Sequence, residues 1–341
     1  GSASDVDAMT IAANGQVTFT QTLIGTALDI SGDIDVDGTT NLDVVDIDGA
    51  VDMASTLTVA GNVDFNGNLD VDGTTDLDGL TVAGNLSVDG GTIKLDGNFP
   101  TNAGNVALGD TALDSLTSGA SNTAIGSAAL TANTSGGSNT AVGNVAATSN
   151  TTGSNLAAFG RYALFSNTTG DSNTGLGFQS LFSNTTADNN TAVGYQSLTA
   201  NTTGHSNVAL GVASLQANTT ASENTALGYA SLNANTTGAS NTGTGFFALS
   251  LNTTGTNNAA TGYKALLKNT TASNNTAMGY FALSENTTGA SNVALGANAL
   301  DANTTASSGT AIGHNALSAN TTGPENTAVG ESALELNTTG G

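Results

Sequence analysis

The segment Asp33-Ile-Asp35-Val-Asp37-Gly38 sets three carboxylates on alternate residues ahead of a glycine, which is how a helix-flanked calcium loop begins. Such a loop closes with a bidentate Glu at its twelfth position, and here Val44 stands there with no helical pattern on either side. Outward Asp35, Asp37, Asp70 and Asp72 leave weak Ca²⁺ binding as the one cofactor expectation; a solvated acidic face is the favoured reading. The two histidines, His205 and His314, fall at different phases of the repeat described below, so stacking does not pair them as metal ligands. With no cysteine, thiol chemistry is excluded, and neither a Gly-x-Ser-x-Gly elbow nor a phosphate loop stands in a suitable context. Glycan cleavage needs two carboxylates facing one cleft, whereas the ten acids beyond residue 104 are scattered singly. No catalysis is expected.

One group of side chains is less bland. Phe178, Tyr195, Tyr229, Phe246, Tyr263 and Tyr280 recur at one phase, interrupted by Val212, and stacked coils would make them a candidate interaction stripe. As isolated rings they read as a self-stacking ladder; as a stripe they read as lateral packing between chains, with sugar contact the other use. The Asn-Thr-Thr triplets match the N-glycosylation pattern, but turn chemistry already explains Asn and Thr there.

The stripe follows from a period. Glycines recur from Gly109, Gly126 and Gly143 to Gly330 in fourteen copies, every step 17 residues. One unit, Asn122–Ser138, reads NTAIGSAALTANTSGGS. An apolar residue precedes the glycine (Ile125, Val142, Phe159, Leu176), and Leu130, Leu164, Leu181 and Leu198 form a second ladder five positions beyond it. Gly and Asn-Thr-Thr recur too often for a helix, so each unit is expected to hold two short strands and two turns. One unit cannot bury its own apolar side chains, but neighbouring coils cover each other. At the strand spacing of about 4.8 Å, fourteen coils make a rod roughly 65 Å long. Asn133, Asn150, Asn167, Asn184 and Asn201, continuing to Asn337, are expected to form a structural ladder of stacked amides. The fold class expected is all-β: an elongated β-solenoid with 17-residue coils over 105–341, after a less regular β-helical stalk.

That stalk is expected over 28–104, where GDIDVDGTTNLD at 32–43 returns as GNLDVDGTTDLD at 67–78, with spacings of 17 and 18 residues. Residues 1–27, in which Val17, Phe19 and Leu23 alternate with polar positions, are expected to form an N-terminal docking segment.

Composition sets the remaining expectations. The formal net charge is −23, and 17 of the 27 acids precede residue 101, opposed there by Lys94 alone. Nucleic acid is excluded as a partner for want of a basic patch. No stretch approaches 18 consecutive apolar residues, so no membrane insertion is expected. No signal peptide is visible, and Gly1-Ser2 reads as a scar or a processed end. Aromatics at 4% and no Trp indicate a thin core, which favours burying further surface between chains.

Asn122-Thr-Ala-Ile-Gly126, with Asn139-Thr-Ala-Val-Gly143 and Asn326-Thr-Ala-Val-Gly330, resembles the head repeats of trimeric autotransporter adhesins. The Asp-Gly-Thr-Thr segments of 28–96 look like those of bacteriophage tail fibres. The period departs from the adhesin heads, whose repeats are shorter. Both resemblances imply surface fibres, often trimeric, that touch a host or another cell. The expected function is therefore a structural subunit of an extracellular fibre on a virion or cell surface, a homotrimer that meets a glycan or receptor. The alternative is a filament polymerising end to end, since the sequence stops at Asn337-Thr-Thr-Gly-Gly341 without a polar cap and residues 1–27 could complete a neighbour's coil. A weaker alternative is an ice-binding solenoid, disfavoured because the paired threonines lie in turns.

Overall fold

The structure, a computed structural model, describes residues 9–19, 59, 63 and 104–340. The chain divides into two compact units, Gly1–Leu86 and Ser87–Gly341. In the first, β1 (Met9–Ile11) and β2 (Val17–Phe19) form an antiparallel hairpin with Met9 opposite Phe19. Val17 and Phe19 thus lie on a strand, one that pairs within its own unit. The stalk of 28–104, apart from residues 59, 63 and 104, lies outside the described residues, as do Asp35, Asp37, Asp70 and Asp72.

Among its described residues the second unit holds fourteen three-residue strands, from β3 (Val106–Leu108) and β4 (Thr123–Ile125) to β16 (Thr327–Val329), in one parallel sheet. Each strand pairs with the next in sequence at an offset of 17 residues: Thr123 faces Thr140, Ala124 faces Ala141 and Ile125 faces Val142. The architecture is a parallel β-solenoid of 17-residue coils, with no helix among the described residues.

Each coil has one strand, not two. The segment after the glycine, expected as a second strand, is a turn run in which two residues take left-handed backbone angles, as with Ala128 (φ 56) and Leu130 (φ 52). A left-handed Leu costs about 1–2 kcal/mol. Burying its side chain returns about 1.5–3 kcal/mol, and Leu130 N–H adds a 3.0 Å bond to Ala146 O of the next coil. Burial wins by a modest margin, so Leu sits where backbone preference alone would choose Gly or Asn. Leu130, Leu164, Leu198 and Leu215 are all 0% exposed.

The strand also orients its residues differently from the sequence expectation. Its middle residue, Ala124 or Ala141, points inward and is fully buried, so the apolar residue before the glycine points outward. Period-two alternation requires this once Ala is inside. The core is thin: an Ala column, a second column of Ala or Ser, a Leu column, and polar side chains filling the rest.

Two asparagine columns fill it. Asn150 Nδ2 donates to Asn133 Oδ1 at 2.9 Å and to Gly153 O at 2.9 Å, and Asn167 and Asn184 repeat the pattern one and two coils on. The second column stands immediately before the strands, with Leu156 and Gly309 as its two breaks. Asn122 Nδ2 donates to Gly136 O at 2.9 Å, and its Oδ1 accepts Asn139 N–H of the next coil at 3.0 Å. Gly136 O also accepts Asn133 Nδ2 at 2.9 Å, so one carbonyl ties the two columns together and closes the coil. Satisfied buried amides are affordable in a core this narrow, where an unpaired one would cost about 1–3 kcal/mol.

The glycine ending each strand is fixed twice over. Gly126 has φ +128, and a Cβ there would lie 2.6 Å from Gly143 O in the coil above. Every coil meets the next at this column through bare backbone.

Candidate interaction face

The outward residues of the sheet are the first and third of each strand. No charged residue occupies either position in any of the fourteen strands. The third column carries Ile125, Phe159, Leu176, Leu210, Met278 and Leu295, each between 36% and 49% exposed. The first column is mostly Thr, broken by Ala157 and Ala259 and by Val106, Val208 and Val293, the last two exposed. A flat strip of uncharged, largely apolar side chains therefore runs the length of the sheet.

The aromatic stripe borders it. Phe178 and Tyr195 lie 5.5 Å apart at 12°, and Tyr229–Phe246, Phe246–Tyr263 and Tyr263–Tyr280 follow at 5.2, 5.4 and 5.4 Å with angles of 15°, 6° and 14°. Coplanar rings at this separation would overlap their hydrogens, so the rings lie as offset stacks and turn edges, not faces, to solvent. Val212 breaks the column into a pair and a run of four. Ring stacking accounts for each ring's immediate neighbours. It leaves Tyr195, Tyr229 and Tyr280 50%, 48% and 55% exposed.

Further rings join the stripe that the sequence reading did not single out. Phe247 and Phe281 meet Phe246 and Tyr280 edge to face at 4.5 and 4.6 Å. Between them, Lys264 Nζ sits 5.1 Å from the Tyr263 ring and 5.4 Å from Phe281. A second cluster gathers Tyr162, Phe165, Phe178 and Phe182, with Phe165 and Phe182 stacked at 4.9 Å and Arg161 lying over Tyr162. The signal for these was the same 17-residue recurrence, read one and four positions farther along the coil.

The remaining candidates resolve simply. His205 is exposed, one residue past Gly204, and His314 Nδ1 lies 3.9 Å from Glu331 Oε1 one coil on. Asn133, Asn150, Asn167, Asn184 and Asn201 are 0% exposed, so the folded solenoid offers none of them to a glycosylating enzyme. In the Asn-Thr-Thr turns, the first Thr turns its hydroxyl to the neighbouring coil, as Thr151 Oγ1 does to Thr168 O at 3.0 Å. Among the described residues, no three His, Cys, Asp or Glu side chains gather as a metal site. The chain matched no protein-family model, no curated protein and no solved structure.

Proposed function

We propose that this chain is a structural subunit of an extracellular fibre, a rigid shaft in surface attachment, with no catalytic role. The observation that carries the reading is the unbroken register of fourteen coils, each tied to the next by strand pairing and by buried amides. A shaft needs stiffness along one axis, and stacked hydrogen-bonded columns supply it with no deep core. The resemblance of Asn122–Gly126 to adhesin-head repeats, and of the acidic segments before residue 97 to phage fibres, supports the extracellular setting and assembly from several copies.

Electron microscopy of the isolated particle tests the reading. Particles that contain a straight, narrow segment of roughly 65 Å, single or laid side by side with others, are expected. A compact globule would overturn it.

A further inference from the structure

We infer that the outward face of the parallel sheet is a self-association surface whose occupant is the same face of a second copy of this chain. The inference rests on the fibre reading and specifies how its subunits meet.

Four observations select the face and its partner. In a chain of net charge −23, none of the ten acids beyond residue 104 lies on a strand, and in the bordering ring column the only acids are Asp110 and Glu331, in the first and last coils. Two copies could therefore approach through the sheet without setting carboxylate against carboxylate, and depletion of charge is what marks the centre of an interface. Second, exposed large apolar side chains concentrate here; Leu176, Leu210, Met278 and Leu295 in the third column and Tyr229 and Tyr280 beside it are all more than 40% exposed. Third, the area suffices. Fourteen strands at about 4.8 Å, and a width from the first strand residue to the ring column at about 3.3 Å per residue, give roughly 800 Å². That is about what each partner contributes to a stable interface.

Fourth, pitch decides the occupant. Side chains stand along each column at the coil spacing, so another copy brings columns of identical spacing and the two sets interdigitate along the whole rod. A partner of any other period falls out of step within a few coils. The rings show edges toward solvent, which suits insertion between a neighbour's side chains better than stacking against a sugar.

Sedimentation of the full chain across a range of concentrations tests this, with Leu210→Glu/Met278→Glu on the face and Thr203→Glu/Thr254→Glu at the exposed turn corner as control. The wild type and the control should share a mass of two or more chains. The face variant should fall to one chain at tenfold or higher concentration, with an unchanged circular dichroism spectrum and melting curve when dilute. A wild type that stays a single chain, or a face variant that keeps the assembled mass, overturns the inference. So does a control that dissociates equally. Imaging keeps the two readings apart: single rods that never associate refute the face and spare the shaft, whereas globular particles refute the shaft.

Discussion

The interior columns and the outward strand face occupy the same coils yet obey different rules. Inside, the chain repeats itself almost residue for residue: the asparagine of the first column stands unbroken from Asn133 to Asn337, and the strand glycine in all fourteen coils. Outside, the third strand position runs through Ile125, Val142, Phe159, Leu176, Thr244 and Met278, varying in size and shape while never acquiring charge. Hydrogen bonds and backbone contact demand one residue type at one distance. An outward position that makes no such bond is constrained only to stay uncharged. The contrast separates positions that hold a coil together from positions whose side chains the coil itself leaves free to vary.

The largest effect should come from the backbone column. Gly211→Ala places a Cβ 2.6 Å from the Gly228 carbonyl carbon at a backbone φ of +137. Neither coil can yield without breaking its own pairing, and a loss of more than about 4 kcal/mol is expected, among the severe single substitutions. Native-state hydrogen exchange should show protection lost on both sides of the site. Gly211→Ala with ordinary protection would mean the coils are not packed at this distance.

Next come the two kinds of interior column. Leu215→Ala should cost about 3 kcal/mol, within the range for emptying a buried Leu. Asn201→Ala removes the donor to Asn184 Oδ1 and Gly204 O and the acceptor of Asn218 Nδ2. Each orphaned group costs about 1–3 kcal/mol, but Gly204 O keeps Asn190 and Asn218 keeps Ala221, so a loss of about 2–3 kcal/mol is expected. Urea denaturation ranks the two. If Asn201→Ala were neutral, the amide columns would be packing material, and the inside–outside contrast would lose its polar half.

How much of this the residues disclosed can be traced position by position. The period, the stacking offset and the Asn133 column follow from counting, because a ladder forces identical residues to identical spacing. The single strand per coil did not follow. Leu130 in a left-handed turn contradicts backbone preference and is paid for by tertiary burial, which no local pattern reports. By its apolar type Ile125 reads as a buried residue; Ala124, smaller and inside, decides the alternation instead. The Asn122 column was visible as a motif, but its clamp on Gly136 O spans 14 residues and depends on how the coil closes. Phe247 and Phe281 were hidden because their column also holds Ala128, Gln179 and Lys264, so its aromatic share is local to a few coils.

The outward face should answer in the opposite sense. Leu210→Ser, at a position 47% exposed, should change the stability of the isolated chain by no more than about 0.5 kcal/mol. Dilute thermal melts measure this. A loss comparable to that of Leu215→Ala would place Leu210 among the positions that hold the coil itself together.

The smallest expected effect lies at a residue that belongs fully to neither region. Asp301 is half-buried on a turn, and its Oδ1 is buried without a hydrogen-bond partner. Burial raises its pKa above the usual carboxylate value, Glu285 adds a minor push the same way, and backbone hydrogen bonds oppose both. A carboxyl with a raised folded-state pKa binds its proton more tightly folded than unfolded. The folded state therefore gains as pH falls through that pKa and bears the cost of the bare charge at neutral pH. Asp301→Asn removes the charge and keeps the shape, so the variant should melt slightly higher than wild type at pH 7, and the advantage should shrink to nothing in acid. Paired melting curves from pH 7 down to about 3, below the ordinary Asp value, measure it. An advantage that persists unchanged in acid would assign the cost to shape or hydrogen bonding, and Asp301 would then belong with the asparagine columns as a position read for fit.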